Sequence, residues 1–163
     1  MTIFGAILFA SVILTSCEGS SSEEPATTTE ESGNSNQSGN KVEDPNSSPE
    51  SVMNTIFQAA QSGEVGVLKS LLPPFDEKTG EIPCDGDCLA LCNPGNESMK
   101  EELGSNYTTL ADFKEYFSNG KIVGSPTING NEAEVNFLFG SNQDRNETMN
   151  MQMINGKWYL SSF

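Results

Sequence analysis

The chain has 163 residues, 35% of them hydrophobic, with 8 Lys and Arg against 23 Asp and Glu, no histidine, and a formal net charge of −15. That length holds one modest domain once non-globular stretches are set aside. The acidity repels nucleic acid and anionic headgroups, and the missing histidine removes Ser-His-Asp and Cys-His sites, Asp-His dyads and the HExxH zinc motif.

The first seventeen residues carry no charged side chain, and Ile3 to Leu14 form a nearly unbroken apolar run. A bilayer-spanning helix needs about 20 such residues, so residues 1–16 read as a signal peptide. No Lys or Arg precedes the run, which implies either a weak signal or a misassigned start. The run ends in Leu14-Thr15-Ser16-Cys17. This resembles the lipobox of bacterial lipoproteins, which implies cleavage before Cys17, acylation of its thiol and attachment to a membrane of the cell envelope. Each buried lipid CH₂ contributes about 0.8 kcal/mol, so two or more acyl chains hold a protein at the bilayer where one does not.

Residues 17–48 form the predicted tether. From Glu18 to Ser48 there is no aromatic residue, and Val42 is the sole large aliphatic. Such a stretch buries too little apolar surface to offset the entropy of ordering it, and with Gly/Ser-like flexibility it spans about 30 Å. Residues 18–50 hold eight acids and one base, and residues 51–163 hold fifteen acids and seven bases, so the acidity is shared by tether and domain. Glu18 and Ser22-Glu23-Glu24 also resemble the export signal of Bacteroidetes surface lipoproteins, implying the outer membrane and its outer face.

The predicted domain covers residues 49–163. Ser48 suits a helix cap, Pro49 the first helical position and Glu50 the positive end of the dipole. Val52, Met53, Ile56, Phe57 and Ala60 then recur at helical spacing up to Ser62-Gly63. A second short helix runs through Val65, Leu68, Leu71 and Leu72 to Pro73-Pro74. Residues 75–106 lose the pattern and read as loops. Thr109 and Asp112 have capping-box spacing before a helix through Leu110, Phe113, Tyr116 and Phe117, closed by Asn119-Gly120.

The last third changes to period two, the mark of half-buried strands: Ala133, Val135, Phe137 and Phe139, then Met149, Met151 and Met153. Asn129-Gly130 and Asn155-Gly156 read as two-residue hairpin turns. The prediction is a four-stranded antiparallel meander over 121–128, 131–139, 147–154 and 157–163. In the last strand Trp158 and Leu160 share one face and Tyr159 and Phe163 the other. Helices first and strands last imply an α+β fold, with N-terminal helices packed on a curved meander sheet.

The order of these elements, with Ile128-Asn129-Gly130-Asn131-Glu132-Ala133-Glu134-Val135 and the terminal Gly156-Lys157-Trp158 strand, resembles the nuclear-transport-factor-2-like (cystatin-like cone) domains of bacterial lipoproteins. The resemblance covers residues 49–163 and departs at an insertion over about 73–106.

That insertion holds Cys84, Cys88 and Cys92 in C-x₃-C-x₃-C spacing. In an exported chain this predicts one disulfide and one free thiol. Asp85-Gly86 permits a turn bringing Cys84 toward Cys88 or Cys92, whereas helical Cys88 and Cys92 would be poorly placed to bridge. No metal or cofactor is expected: zinc knuckles favour C-x₂-C, and Asp85 and Asp87 fall short of an EF-hand loop. Sequons at Asn46, Asn96, Asn106 and Asn146 matter only in a eukaryotic secretory protein.

Phe137, Met149, Met151, Met153 and Trp158 are candidate lining for an adaptable pocket in the cone, or simply core. These features predict a non-catalytic domain binding a small apolar ligand or an envelope protein. The alternative is a cell-surface enzyme using Asp and Tyr acid–base chemistry, for which Tyr107, Tyr116 and Tyr159 are available.

Overall fold

The computed structural model describes residues 44–163. The predicted signal peptide, Cys17 and the tether up to residue 43 lie outside the described residues. The fold is α+β. Helix α1 (Pro49–Ser62) starts as its sequence dictates: Ser48 is extended, its side chain accepts the Ser51 N–H, and Pro49 needs no donor partner. It stops at Gly63, whose φ of 82° is cheap for glycine. A 3₁₀ turn (Val65–Leu71) buries Leu68 and Leu71. The insertion is more structured than a loop, with helices α2 (Gly86–Leu91) and α3 (Lys100–Leu103) and short 3₁₀ turns around α3.

Helix α4 (Leu110–Phe117) is capped by Thr109, whose hydroxyl accepts the Asp112 N–H and donates to the Asp112 carboxylate. The carboxylate is thereby engaged by the hydroxyl, not by the Thr109 backbone as in a full capping box. Gly120 serves packing. A Cβ there would lie 2.1 Å from the Phe57 ring.

Five antiparallel strands form one sheet: β1 (Lys121–Ile122), β2 (Thr127–Asn129), β3 (Glu132–Phe139), β4 (Arg145–Ile154) and β5 (Lys157–Ser162). β3 and β4 are central, β5 forms one edge, and β1 and β2 share the other, both paired with β3. The predicted single strand over 121–128 is thus two. Gly124 adopts φ 73° and Pro126 has no N–H, so residues between them cannot continue the ladder. The first hairpin turn is Gly130-Asn131, one residue later than predicted, because Asn129 pairs with Glu132. The second is Asn155-Gly156, both with positive φ, as a type I′ turn requires.

One face of the sheet packs on α1 and α4. Val52, Met53 and Ile56 meet Val135, Met149, Met151 and Leu160 in a continuous core. Beside them Phe57, Phe117, Phe137, Phe139 and Phe163 form an aromatic cluster with neighbouring centroids 5.3–6.4 Å apart.

Phe163 reaches this cluster because of a bulge. Met151 pairs with Leu160 but Asn150 with Ser162, leaving Ser161 extra. One extra residue inverts the alternation. Phe163 therefore lies on the Trp158–Leu160 side, and its predicted placement with Tyr159 is corrected.

Candidate functional site

Of the five residues predicted to line a pocket, Phe137 and Met149 are fully buried, Met151 and Trp158 nearly so, and Met153 packs against the core half-buried. Alternation puts them on the helix side of the sheet, where α1 fills the space above them with Met53 and Ile56. They are core. Met151 alone lines one of the described cavities, and that one opens on the other side of the sheet.

Cys84 and Cys88 stand at disulfide distance, with Cα atoms 5.9 Å apart, and Cys92 is a buried free thiol. Burial pushes the Cys92 thiol up to about 12, so it resists forming the reactive thiolate. The predicted 85–86 turn is the start of α2. One Asp85 carboxylate oxygen accepts the Cys88 N–H at 2.8 Å, which caps the helix and fixes Cys88 toward Cys84.

Asp85 also ties the insertion to β5. Its N–H donates to the Ser161 carbonyl at 3.2 Å, the carbonyl that the bulge turns out of the ladder, and its second oxygen receives the Phe163 N–H at 3.4 Å. At the other end of β5, Asn46 does the same work. Its carbonyl accepts the Trp158 N–H at 2.9 Å, and its side-chain amide donates to the Trp158 and Ser70 carbonyls at 2.7 and 3.1 Å. Contacts with the domain therefore reach back at least to Asp44, which lies five residues before the predicted boundary and pairs with Lys157 at 2.8 Å. Asn46 is 4% exposed, so its sequon is sealed in the fold.

Across from the core, the sheet presents a polar face. Cross-strand pairing sets Gln152 between Glu132 and Tyr159, Glu134 between Thr127 and Asn150, and Asn136 beside Thr148. Two side-chain bonds order this face: Thr148 donates to Asn136 at 2.8 Å and Asn150 to Ser162 at 2.9 Å. A shallow depression of about 300 Å³ is lined by Glu132, Glu134, Asn150, Gln152 and Ser161, and one of about 140 Å³ adjoins it over Thr127 and Asn129. The insertion borders this depression, because Gln152 donates to the Pro83 carbonyl at 3.1 Å. Among the described residues nothing covers this antiparallel face, and its amide, hydroxyl and carboxylate groups can hydrogen-bond a partner.

The chain matches no known family, no curated protein and no solved structure. Its chemistry must therefore be read from its own groups. Tyr107 donates to Glu97 at 2.6 Å, which raises the phenol and lowers the carboxyl, but both sit at the surface beside Lys100. Tyr116 lies under the Arg145 guanidinium at 4.7 Å. Neither tyrosine has an Asp partner among its described contacts. Among the described residues no three His, Cys, Asp or Glu side chains cluster to hold a metal, and no helix is long and apolar enough to cross a membrane.

Proposed function

We propose that the chain is a lipid-anchored protein of the cell envelope, attached through Cys17, whose domain is a non-catalytic module that binds another envelope protein. The observation that carries this is the contrast between the two sides of the sheet. Among the described residues its inner side is filled by α1 and α4, while its outer side offers an array of hydrogen-bonding groups. The Leu14-Thr15-Ser16-Cys17 box and the acidic residues behind it support an outer-membrane anchor. The helices-then-meander order supports kinship with cone domains of lipoproteins.

Two measurements on the full chain in the cells that produce it test this. Cys17→Ser should lose incorporated palmitate and leave the membrane fraction; unchanged labelling would refute the anchor. A benzophenone amino acid at Glu134, on the outer face, should photo-crosslink to a second envelope protein, and one at Gln58, on the exposed side of α1, should not. Absence of any protein adduct from Glu134 would count against this face as the binding side.

A further inference from the structure

Just before the disulfide, the insertion folds into a small hairpin that the core does not need. Asp76 and Glu81 form an isolated antiparallel bridge, with the Asp76 N–H donating to the Glu81 carbonyl at 2.9 Å. The Asp76 carboxylate accepts the Lys78 N–H at 2.8 Å and its carbonyl accepts the Gly80 N–H at 2.8 Å, closing a turn in which Gly80 takes φ 75°. Phe75 and Ile82 flank the bridge on its two arms, and each is followed outward by a proline, Pro74 and Pro83.

Phe75 is 60% exposed and Ile82 37% exposed, and neither joins the core cluster or the residues packed against it. A phenylalanine at this exposure is the most open large apolar side chain among those described. Its setting is rigid: prolines flank both arms, Pro83 is held by Gln152, and Cys84, the next residue, is tied to Cys88. A preorganised apolar knob costs little ordering entropy on binding. Its flanking sequence is acidic: Asp76, Glu77, Glu81, Asp85 and Asp87 lie within five residues of Phe75 or Ile82, none of them buried, against Lys78 alone.

We propose that the Phe75–Ile82 hairpin is a docking knob for a protein partner that offers an apolar pocket rimmed by Lys and Arg. This rests on the partner-binding reading above and names the element that makes the contact. Charge selects the occupant. A second copy of this chain would bring the same acidic hairpin and a net-negative chain, and an anionic bilayer would repel it. A basic rim would be steered in by the neighbouring carboxylates, while Phe75 and Ile82 supply the apolar contact in the manner of an interface anchor.

The test places the benzophenone amino acid at Phe75 in the full chain, in its own cells, with positions Glu134 and Val123 for comparison. The adducts are identified by mass spectrometry. The purified partner is then titrated against the parent, Phe75→Ser and Glu81→Lys at two salt concentrations. The expected result is a protein adduct at position 75, with crosslinked peptides that carry Lys or Arg beside apolar residues. Phe75→Ser should weaken binding at least about tenfold, as truncating an anchor does. Glu81→Lys should weaken it and flatten its salt dependence.

Both substitutions fall on surface positions, so a melting curve matching the parent will show that folding is not the cause. An adduct with lipid or with a second copy would overturn the proposal, as would equal yields at Phe75 and Val123. A protein adduct from Glu134 without one from Phe75 would overturn the knob and leave the binding reading standing. No protein adduct at either position would end both.

Discussion

Replacing Asn46 by Ala removes one side-chain amide that serves two carbonyls. The bond to Trp158 is buried at 2.7 Å, so its loss strands an acceptor that water cannot reach, at about 1 to 3 kcal/mol. The bond to Ser70 is partly buried at 3.1 Å, and its loss costs about 0.5 to 1.5 kcal/mol. The main-chain bond from Trp158 to the Asn46 carbonyl survives the substitution. The sum is about 1.5 to 4.5 kcal/mol out of a total stability of about 5 to 15 kcal/mol. For a domain of this size each kcal/mol shifts the midpoint by about 3 to 6 °C, so Asn46→Ala should melt at least about 4 °C below the parent.

Asn46→Asp keeps the shape, replaces both donors by acceptors and adds a charge, and should fall at least as far at neutral pH. Circular dichroism melts of the three proteins make the comparison. An Asn46→Ala midpoint within about 2 °C of the parent would show that residues 44–48 are laid against the fold without stabilising it.

Gly120→Ala forces a methyl into the Phe57 ring and should cost about 1 to 3 kcal/mol by overpacking; Gly66→Ala, with nothing within 4 Å, should stay within about 0.5 kcal/mol, and equal midpoints would contradict the packing. In a Cys17→Ser background purified without reductant, iodoacetamide at pH 8 should label no cysteine until denaturant exposes Cys92, which burial holds near 12; prompt labelling of the folded protein would contradict its sealing. The hydrogen bond from Lys157 lowers the Asp44 carboxyl below 3.8 and raises the Lys157 ammonium above 10.5. The pair's contribution is therefore complete between those values. It is lost as pH falls through the lowered Asp44 value or rises through the raised Lys157 value. Stability profiles in low salt should show Asp44→Asn flattening the acid limb, and an unchanged limb would assign that limb to other groups.

The parts of the fold legible in the sequence are those whose causes are local. Ser48-Pro49-Glu50 starts α1 from adjacent residues, Asn155-Gly156 makes its turn from two positive-φ positions, and alternation from Ala133 to Phe139 assigns both faces of β3. The break between β1 and β2 was also written locally, in Gly124 and Pro126, but the apolar residues Ile122, Val123 and Ile128 on either side concealed it. What the sequence hides is set at long range. Asn46 bonds a residue 112 positions away, so Asp-Pro-Asn-Ser-Ser looks like tether until Trp158 is beside it. The bulge at Ser161 depends on Asp85 arriving from the insertion. The methionine row reads the same whether the space above it is hollow or filled, because Met53 and Ile56 decide that from another element. The exposed hairpin did carry a signal in the short Asp76-to-Gly80 turn between Pro74 and Pro83, which helical and period-two patterns do not register.

The contacts around Asn46 also decide where mechanical load would enter the domain. Tension arriving along the chain from residue 43 meets the Asp44–Lys157 pair and the Asn46–Trp158 bonds before it meets Pro49. Until they break, the force is handed to β5, which is laced to β4, and α1 is not pulled from its end. The clasp thus acts as a mechanical fuse. Its rupture would lengthen the chain by only the few residues from Asp44 to Ser48 and leave the helix–sheet core intact to reclose.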